Sequence, residues 1–170
     1  MDVYIVELEK TTDGKVISTS LLRELASSGD VESIYTFCGV PFEIKGIVTS
    51  GRGEGHNFGL PTANIEVKSD FVLPAFGVYA SAVKIGEKTY SSVTNIGNAP
   101  TFGVDKVVTE THLIDYDGDL YGKEVTVYLL KKLRDIIKFD NIKELKKQIE
   151  TDKLKGTEYI HSNKEKLSIF

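Results

Sequence analysis

Tryptophan is missing from these 170 residues, and cysteine and methionine occur once each. A lone Cys38 cannot close an internal disulfide, so nothing points to an oxidising compartment. No apolar run approaches the roughly 20 residues of a membrane span. The opening decapeptide MDVYIVELEK has acidic residues where a secretory leader has basic ones. Basic charge is also short: 25 Asp and Glu against 21 Lys and Arg give a net charge of −4. Such a chain lacks the field that gathers nucleic-acid backbones or anionic lipid, although a local basic pocket for one nucleotide stays open. A cytoplasmic monomer that binds neither nucleic acid nor membrane is expected. With three histidines and one cysteine, a closed zinc site is disfavoured.

What is present is a change of period near residue 40. Before it the chain reads as helical. Ser20 can cap a helix with Leu21, Leu22 and Leu25 on one stripe and Gly29 at its end. Asp30 then opens a second short helix with Ile34 and Phe37 inward, stopped by Gly39. From Pro41 the period becomes two. Strands are expected around 42–48, 77–85, 88–94, 107–116 and 124–130, with turns at Gly86-Glu87 and Asp117-Gly118. No helix between them is long enough for a parallel crossover, so an antiparallel barrel or sandwich follows. Asn141-Ile142-Lys143-Glu144 resembles a capping box, and Ile142, Leu145 and Ile149 place a helix from there to about Asp152. A short second helix is an option in the polar closing stretch from Lys155 to Phe170.

Three places could carry chemistry. Gly51, Gly53, Gly55 and Gly59 lie within nine positions. Glycines let backbone N–H groups approach an anion, and the same run also suits a plain hairpin tip. It fits neither the Walker pattern nor the dinucleotide fingerprint. In Pro61-Thr62-Ala63-Asn64 an extended chain turns the Thr62 hydroxyl and the Asn64 amide to one side. Such neutral oxygens suit Mg²⁺ when phosphates supply the negative charge; local turns bonding their own backbone are the alternative. Glu110 lies in Val107-Val108-Thr109-Glu110-Thr111-His112, where neither face is cleanly polar. A carboxylate on a strand covered from both sides needs a partner or a task. Desolvation sharpens a general base, whereas a rim glutamate would pair with a lysine. His112 by itself reads as a hydrogen-bonded structural histidine.

The order of the motifs says more than any one of them. Gly51-x-x-x-Gly55-His56-x-x-Gly59-Leu60-Pro61-Thr62-Ala63-Asn64 comes first, then Leu73-Pro74-x-x-Gly77-Val78-Tyr79-Ala80. Asn95-Ile96-Gly97-x-x-Pro100-Thr101-Phe102, Glu110-Thr111-His112, Asp119-Leu120-Tyr121-Gly122 and Leu133-Arg134 follow. Over about residues 40 to 153 this resembles the riboflavin kinase family, most closely the kinase module of bacterial bifunctional riboflavin kinase/FAD synthetases. The resemblance implies a mainly β fold: a six-stranded antiparallel Greek-key barrel over residues 41–170 with a C-terminal helix packed on it. It implies transfer of the γ-phosphate of ATP to the 5′-hydroxyl of riboflavin, giving FMN and ADP, with Mg²⁺ (or Zn²⁺ or Mn²⁺) as the ion. By position, Thr62 and Asn64 would hold the metal and contact ATP, and Glu110 would be the base. Gly51, Gly55 and His56 would belong to a flap over the nucleotide. Leu113 and Tyr121 would line its adenine and ribose side, and Arg134 would border the flavin. His56 stands where bacterial relatives usually have arginine or lysine, and Arg52 could replace that charge.

Residues 1–40 have a likeness of their own. Ile17-Ser18-Thr19-Ser20-Leu21-Leu22-Arg23 resembles the end of the adenylyltransferase module of the same enzymes, with serine and threonine interchanged. No His-x-x-His motif of that module occurs, so no FAD synthesis is expected of this chain. A catalytically inactive flavin- or nucleotide-binding sensor module is the alternative; keeping Thr62, Asn64 and Glu110 together favours the kinase.

Overall fold

A computed structural model describes residues 7–49, 62–67, 72–101, 104–165, 167 and 169. Helix α1 spans Thr19–Ser28 and α2 spans Val31–Cys38. The cap of α1 is Ser18 rather than Ser20: its Oγ accepts the Leu21 N–H at 3.3 Å. The reason lies upstream, where the Ile17 N–H donates to the Glu9 carbonyl and holds the chain extended up to Ser18. Asp30 caps α2 as expected, accepting from the Ser33 N–H at 3.0 Å.

These helices are packed on the barrel. Val31 is 1 % exposed and joins the main core, and the Ala75 N–H donates to the Ala26 carbonyl at 2.9 Å. Gly29, at φ +82°, lies so close to the barrel that a Cβ there would fall 2.8 Å from Lys132 Cδ and 2.9 Å from the Tyr79 hydroxyl. Only glycine meets both demands at this contact.

Six strands follow: β1 Phe42–Thr49, β2 Ala63–Val67, β3 Gly77–Ile85, β4 Lys88–Thr101, β5 Val104–Leu113 and β6 Glu124–Arg134. All neighbours are antiparallel, and the order β1-β2-β5-β4-β3-β6 closes on itself. Strand β6 returns to lie beside β3, which gives the Greek-key order 6-3-4-5. Closure leaves no edge strand unpaired. Strand β2 is not among the strands read from the periodicity, β6 runs four residues further than expected, and β4 and β5 are also re-bounded. Strand β4 runs on to Thr101 because β5 pairs with it as far as Thr101–Val104. Strand β5 ends at Leu113, since Asp115 turns the chain with φ 55°; Asp117-Gly118 lies in the loop beyond.

Alternation divides each strand's side chains between two cores. Ile44, Val48, Ile65, Tyr79, Ile96 and Val127 fill the barrel. A hydroxyl chain also lies inside: Ser81 Oγ is 2.8 Å from Ser92 Oγ and 2.7 Å from Thr94 Oγ1, which is 2.9 Å from Thr111 Oγ1. Each of these buried hydroxyls thus has a partner, which removes the cost of burying it. Outside, Ala82, Leu130, Ile160 and Leu167 form a second cluster under the C-terminal helix.

That helix, α3, spans Ile142–Asn163 and passes well beyond Asp152. Asn141 caps it, accepting from the Glu144 N–H at 3.0 Å while its Nδ2 donates to Glu144 Oε1 at 2.9 Å. Gly156 would ordinarily weaken a helix by about 1 kcal/mol. Here it is buried where α3 crosses the wall, and a Cβ would meet Val93 Cγ2 at 3.1 Å. Packing against β3 and β4 carries the helix past the residue that locally argues for its end.

Candidate active site

The barrel wall facing α3 carries a row of residues set by strand register. Asn64 on β2 is opposite Glu110 on β5, and Glu110 is opposite Asn95 on β4. Asn95 is opposite Val78 on β3, and Val78 is opposite Arg134 on β6. Their neighbours Ile65, Thr109, Thr111, Ile96 and Tyr79 are buried, so the row itself points outward. Adjacent strands lie roughly 4.8 Å apart, so Glu110 has a carboxamide on each flank.

A cleft of about 320 Å³ opens over this row. Its barrel side includes Thr62, Asn95, Glu110 and His112; its other side is apolar, with Ile136, Phe139, Leu145 and Ile149 among the contributors. The stripe expected to seat the helix on the barrel therefore borders the cleft in part: Ile142 is 48 % exposed there. A concave site, mostly apolar with a few converging polar groups, is the usual form of a small-molecule site.

One end is rigidly braced. Arg134 Nε donates to Asp152 at 3.2 Å (Oδ1) and 3.0 Å (Oδ2), and Nη2 donates to Oδ2 at 2.8 Å. Gln148 Nε2 adds a bond to Asp152 Oδ1 at 2.9 Å. Asp152 is 2 % exposed, so a paired guanidinium is what permits a carboxylate there. Nη1 donates to the Asp135 carbonyl at 3.0 Å, and the guanidinium carbon lies 6.0 Å from the Phe139 ring centroid. Arg134 thus ties α3 to the end of β6 and orders the first residues of the loop behind it.

The structure brings Thr62, Asn64 and Glu110 onto one stretch of wall, with Arg134 at the far end of the same row. It sets Leu113 and Tyr121 apart from the cleft. Leu113, 8 % exposed, packs in the barrel interior; Tyr121, 64 % exposed, lies in the loop between β5 and β6, its N–H on Asp119 Oδ1 at 2.9 Å. Gly51, Gly55, His56 and Arg52 lie outside the described residues. Asn95 and Asp152 border the cleft and were given no role from the sequence. Asn95 opens the Asn95-Ile96-Gly97 motif; Asp152 looks like any polar residue of a helix until its partner on β6 is known.

The donor set can be tested against a metal. Among the described residues no group of three or more His, Cys, Asp and Glu could hold an ion. One hydroxyl, one carboxamide and one nearby carboxylate do not make a closed zinc site. They suit a hard cation that completes its shell with phosphate oxygens and water. Among the described residues no helix is long and apolar enough to cross a membrane.

Comparison with known proteins points the same way. The family model for riboflavin kinase matches residues 38–160. The bifunctional riboflavin kinase/FMN adenylyltransferase of Bacillus subtilis is 37 % identical over 156 residues, covering 89 % of this chain and 49 % of its own length. The chain thus spans about half the length of the curated relatives it matches. A solved Streptococcus pneumoniae chain, described as a macrolide-efflux protein, superposes with TM-score 0.82 at 31 % identity, over 93 % of this chain and 50 % of its own. Riboflavin kinase from Trypanosoma brucei gives TM-score 0.51 at 22 % identity, over 72 % of this chain and 81 % of its own, a likeness of fold. With a closed six-stranded Greek-key barrel, a helix across its wall and a family match spanning almost the whole of both, this chain belongs to the riboflavin kinase family.

Proposed function

We propose that the chain is an ATP-dependent riboflavin kinase that moves the γ-phosphoryl group of ATP to the terminal ribityl hydroxyl of riboflavin, yielding FMN and ADP. The observation that carries this reading is Glu110 set between Asn64 and Asn95 in register, at the floor of a cleft whose opposite side is apolar. Phosphoryl transfer asks a protein mainly to position groups and to neutralise charge; this arrangement offers the positioning, and a bound cation would supply the charge.

Thr62 and Asn64 would hold Mg²⁺ through neutral oxygens. The ion, when bound, offsets the charge of the transferring phosphoryl group. Glu110 takes the proton of the attacking hydroxyl as the new O–P bond forms and the bond to the β-phosphate oxygen breaks; ADP leaves with that electron pair. Ile136, Phe139 and the near face of α3 cover a planar ring system and keep water from the reacting oxygen. Arg134 stacks at the ring's edge while Asp152 fixes its plane. By their place in the family motif, Gly51, Gly55 and His56 would contact the nucleotide, and Leu113 and Tyr121 would serve its adenine and ribose side.

The same reading covers the rest of the chain. Residues 1–40 derive from the end of an adenylyltransferase module, consistent with relatives twice as long. No FAD synthesis is assigned to this chain. It acts as a cytoplasmic monomer.

Mixing the protein with riboflavin, ATP and Mg²⁺ and separating FMN by chromatography tests the assignment. Glu110→Gln should lower turnover by about 10²- to 10⁴-fold with riboflavin binding retained. Binding without turnover in the wild type would instead identify a flavin sensor.

A further inference from the structure

Glu110 has two flanking carboxamides, and the function above uses only the one on β2. Asn95, on β4, is half-buried, borders the cleft and makes no side-chain hydrogen bond to another described residue. A carboxamide has two donors and one acceptor to satisfy, and a partly desolvated one left idle is costly unless a ligand takes it up. The row gives its direction. On one side of Glu110 is β2, with the oxygens of Asn64; on the other are Asn95, then Val78, then Arg134. On the kinase reading the nucleotide comes from the Asn64 flank and the flavin from the Arg134 flank, so Asn95 stands on the flavin flank, one strand spacing from Glu110.

We infer that Asn95 is a specificity residue for the acceptor: its carboxamide hydrogen-bonds the secondary hydroxyl of the ribityl chain next to the reacting one, and so holds the terminal hydroxyl before Glu110. This rests on the kinase reading. The substrate class follows from the chemistry. With the terminal hydroxyl at Glu110, the next carbon of a polyol brings its hydroxyl within hydrogen-bond reach of a side chain one strand over. Val78, the next residue of the row, offers no polar group, so recognition of the polyol passes to apolar cover of the ring beyond it. An alkyl alcohol of equal length would leave Asn95 unsatisfied, and a site built around a substrate hydroxyl rejects the analogue that lacks it.

The test compares riboflavin with an analogue lacking that secondary hydroxyl, in the wild type, Asn95→Ala and Asn95→Ser. Two readouts are taken: kcat/KM and the dissociation constant from quenching of flavin fluorescence. The wild type should favour riboflavin by about 10- to 100-fold in kcat/KM, and in Asn95→Ala the preference should shrink to within about threefold. Rates with the analogue should hardly change in Asn95→Ala, and Asn95→Ser should recover part of the preference through its own hydroxyl. Asn95→Ala keeping the wild-type preference overturns the inference, as does an equal loss on both flavins, which is what a merely structural residue would give. A wild type that turns over neither flavin removes the kinase reading itself. Fluorescence quenching then still judges Asn95: equal affinity for both flavins counts against it.

Discussion

Glu110 and Asp152 are two carboxylates on facing elements with different constraints. Asp152 is almost fully buried and is held by three hydrogen bonds from Arg134 and one from Gln148. Glu110 borders an open cleft and stays within reach of a substrate. The first arrangement braces α3 against β6; the second stands at the cleft, where the proposed kinase chemistry would need its base. Replacing Asp152 by alanine would leave the Arg134 guanidinium, 20 % exposed, without its counter-ion. Breaking a buried pair from one side costs on the order of 3 kcal/mol, which urea denaturation should show as a lower midpoint. The same variant should raise the riboflavin KM more than the ATP KM, because the bond it removes lies at the Arg134 end of the row. Equal changes in both would place flavin and nucleotide elsewhere. Thr62, Asn64 and Glu110 could be named from motif and alternation alone; Asp152 could not, since a partner 18 residues away is fixed only when α3 lies down on the wall.

At the scale of elements, the informative one is α3. Its start was legible, because capping is a local arrangement of Asn141 and Glu144. Its end was not, because Gly156 and the polar residues around it reduce intrinsic helix propensity. What extends the helix is contact: Gly156 lets its axis approach Val93 and Ala80, and Ile160 then reaches Ala82 and Leu130. Gly156→Leu should therefore destabilise the protein although leucine is the better helix former. Forcing a side chain into a site only 3.1 Å from Val93 Cγ2 costs typically 1–3 kcal/mol. A higher melting temperature in that variant would show that propensity, not packing, governs this crossing. Asn141→Ala should cost about 1 kcal/mol by removing the cap, read from the same denaturation curves.

For the whole molecule, the N-terminal helices, the barrel and α3 meet in shared contacts. Tyr159 on α3 donates to Glu32 on α2 at 3.1 Å, and Lys131 on β6 lies 3.5 Å from the same carboxylate and 5.0 Å from the Tyr159 ring. Tyr79 in β3 donates its hydroxyl to the Ala75 carbonyl beneath Gly29. Burial pushes the Tyr79 phenol up to about 12, with the Asp135 carboxylate adding to the shift. Tyr159 also rises to about 12, through burial and then the Glu32 carboxylate. Both phenols are neutral when protonated, and both native values exceed the unfolded 10.0. Between those limits the native state binds more protons than the unfolded one. Stability is therefore fully present below pH 10 and falls as pH rises toward 12. Urea midpoints measured across that interval should fall, and Tyr79→Phe should fall less steeply than the wild type. An unchanged slope in the variant would exclude Tyr79 as a contributor.

Read along the chain alone, the residues give the period of five of the six strands, the caps at Asp30 and Asn141, the family, and Thr62, Asn64 and Glu110 as candidates for the site. These are local or ordered in sequence, so they can be read along one chain. Tertiary structure alone decided that Val31 belongs to the barrel's core, that α3 continues past Gly156, that Leu113 turns inward, and that Asn95 stands beside Glu110. The physical reason is common to all four. Each depends on which surface arrives opposite a residue, and that is settled by strand order and helix docking rather than by neighbours in sequence.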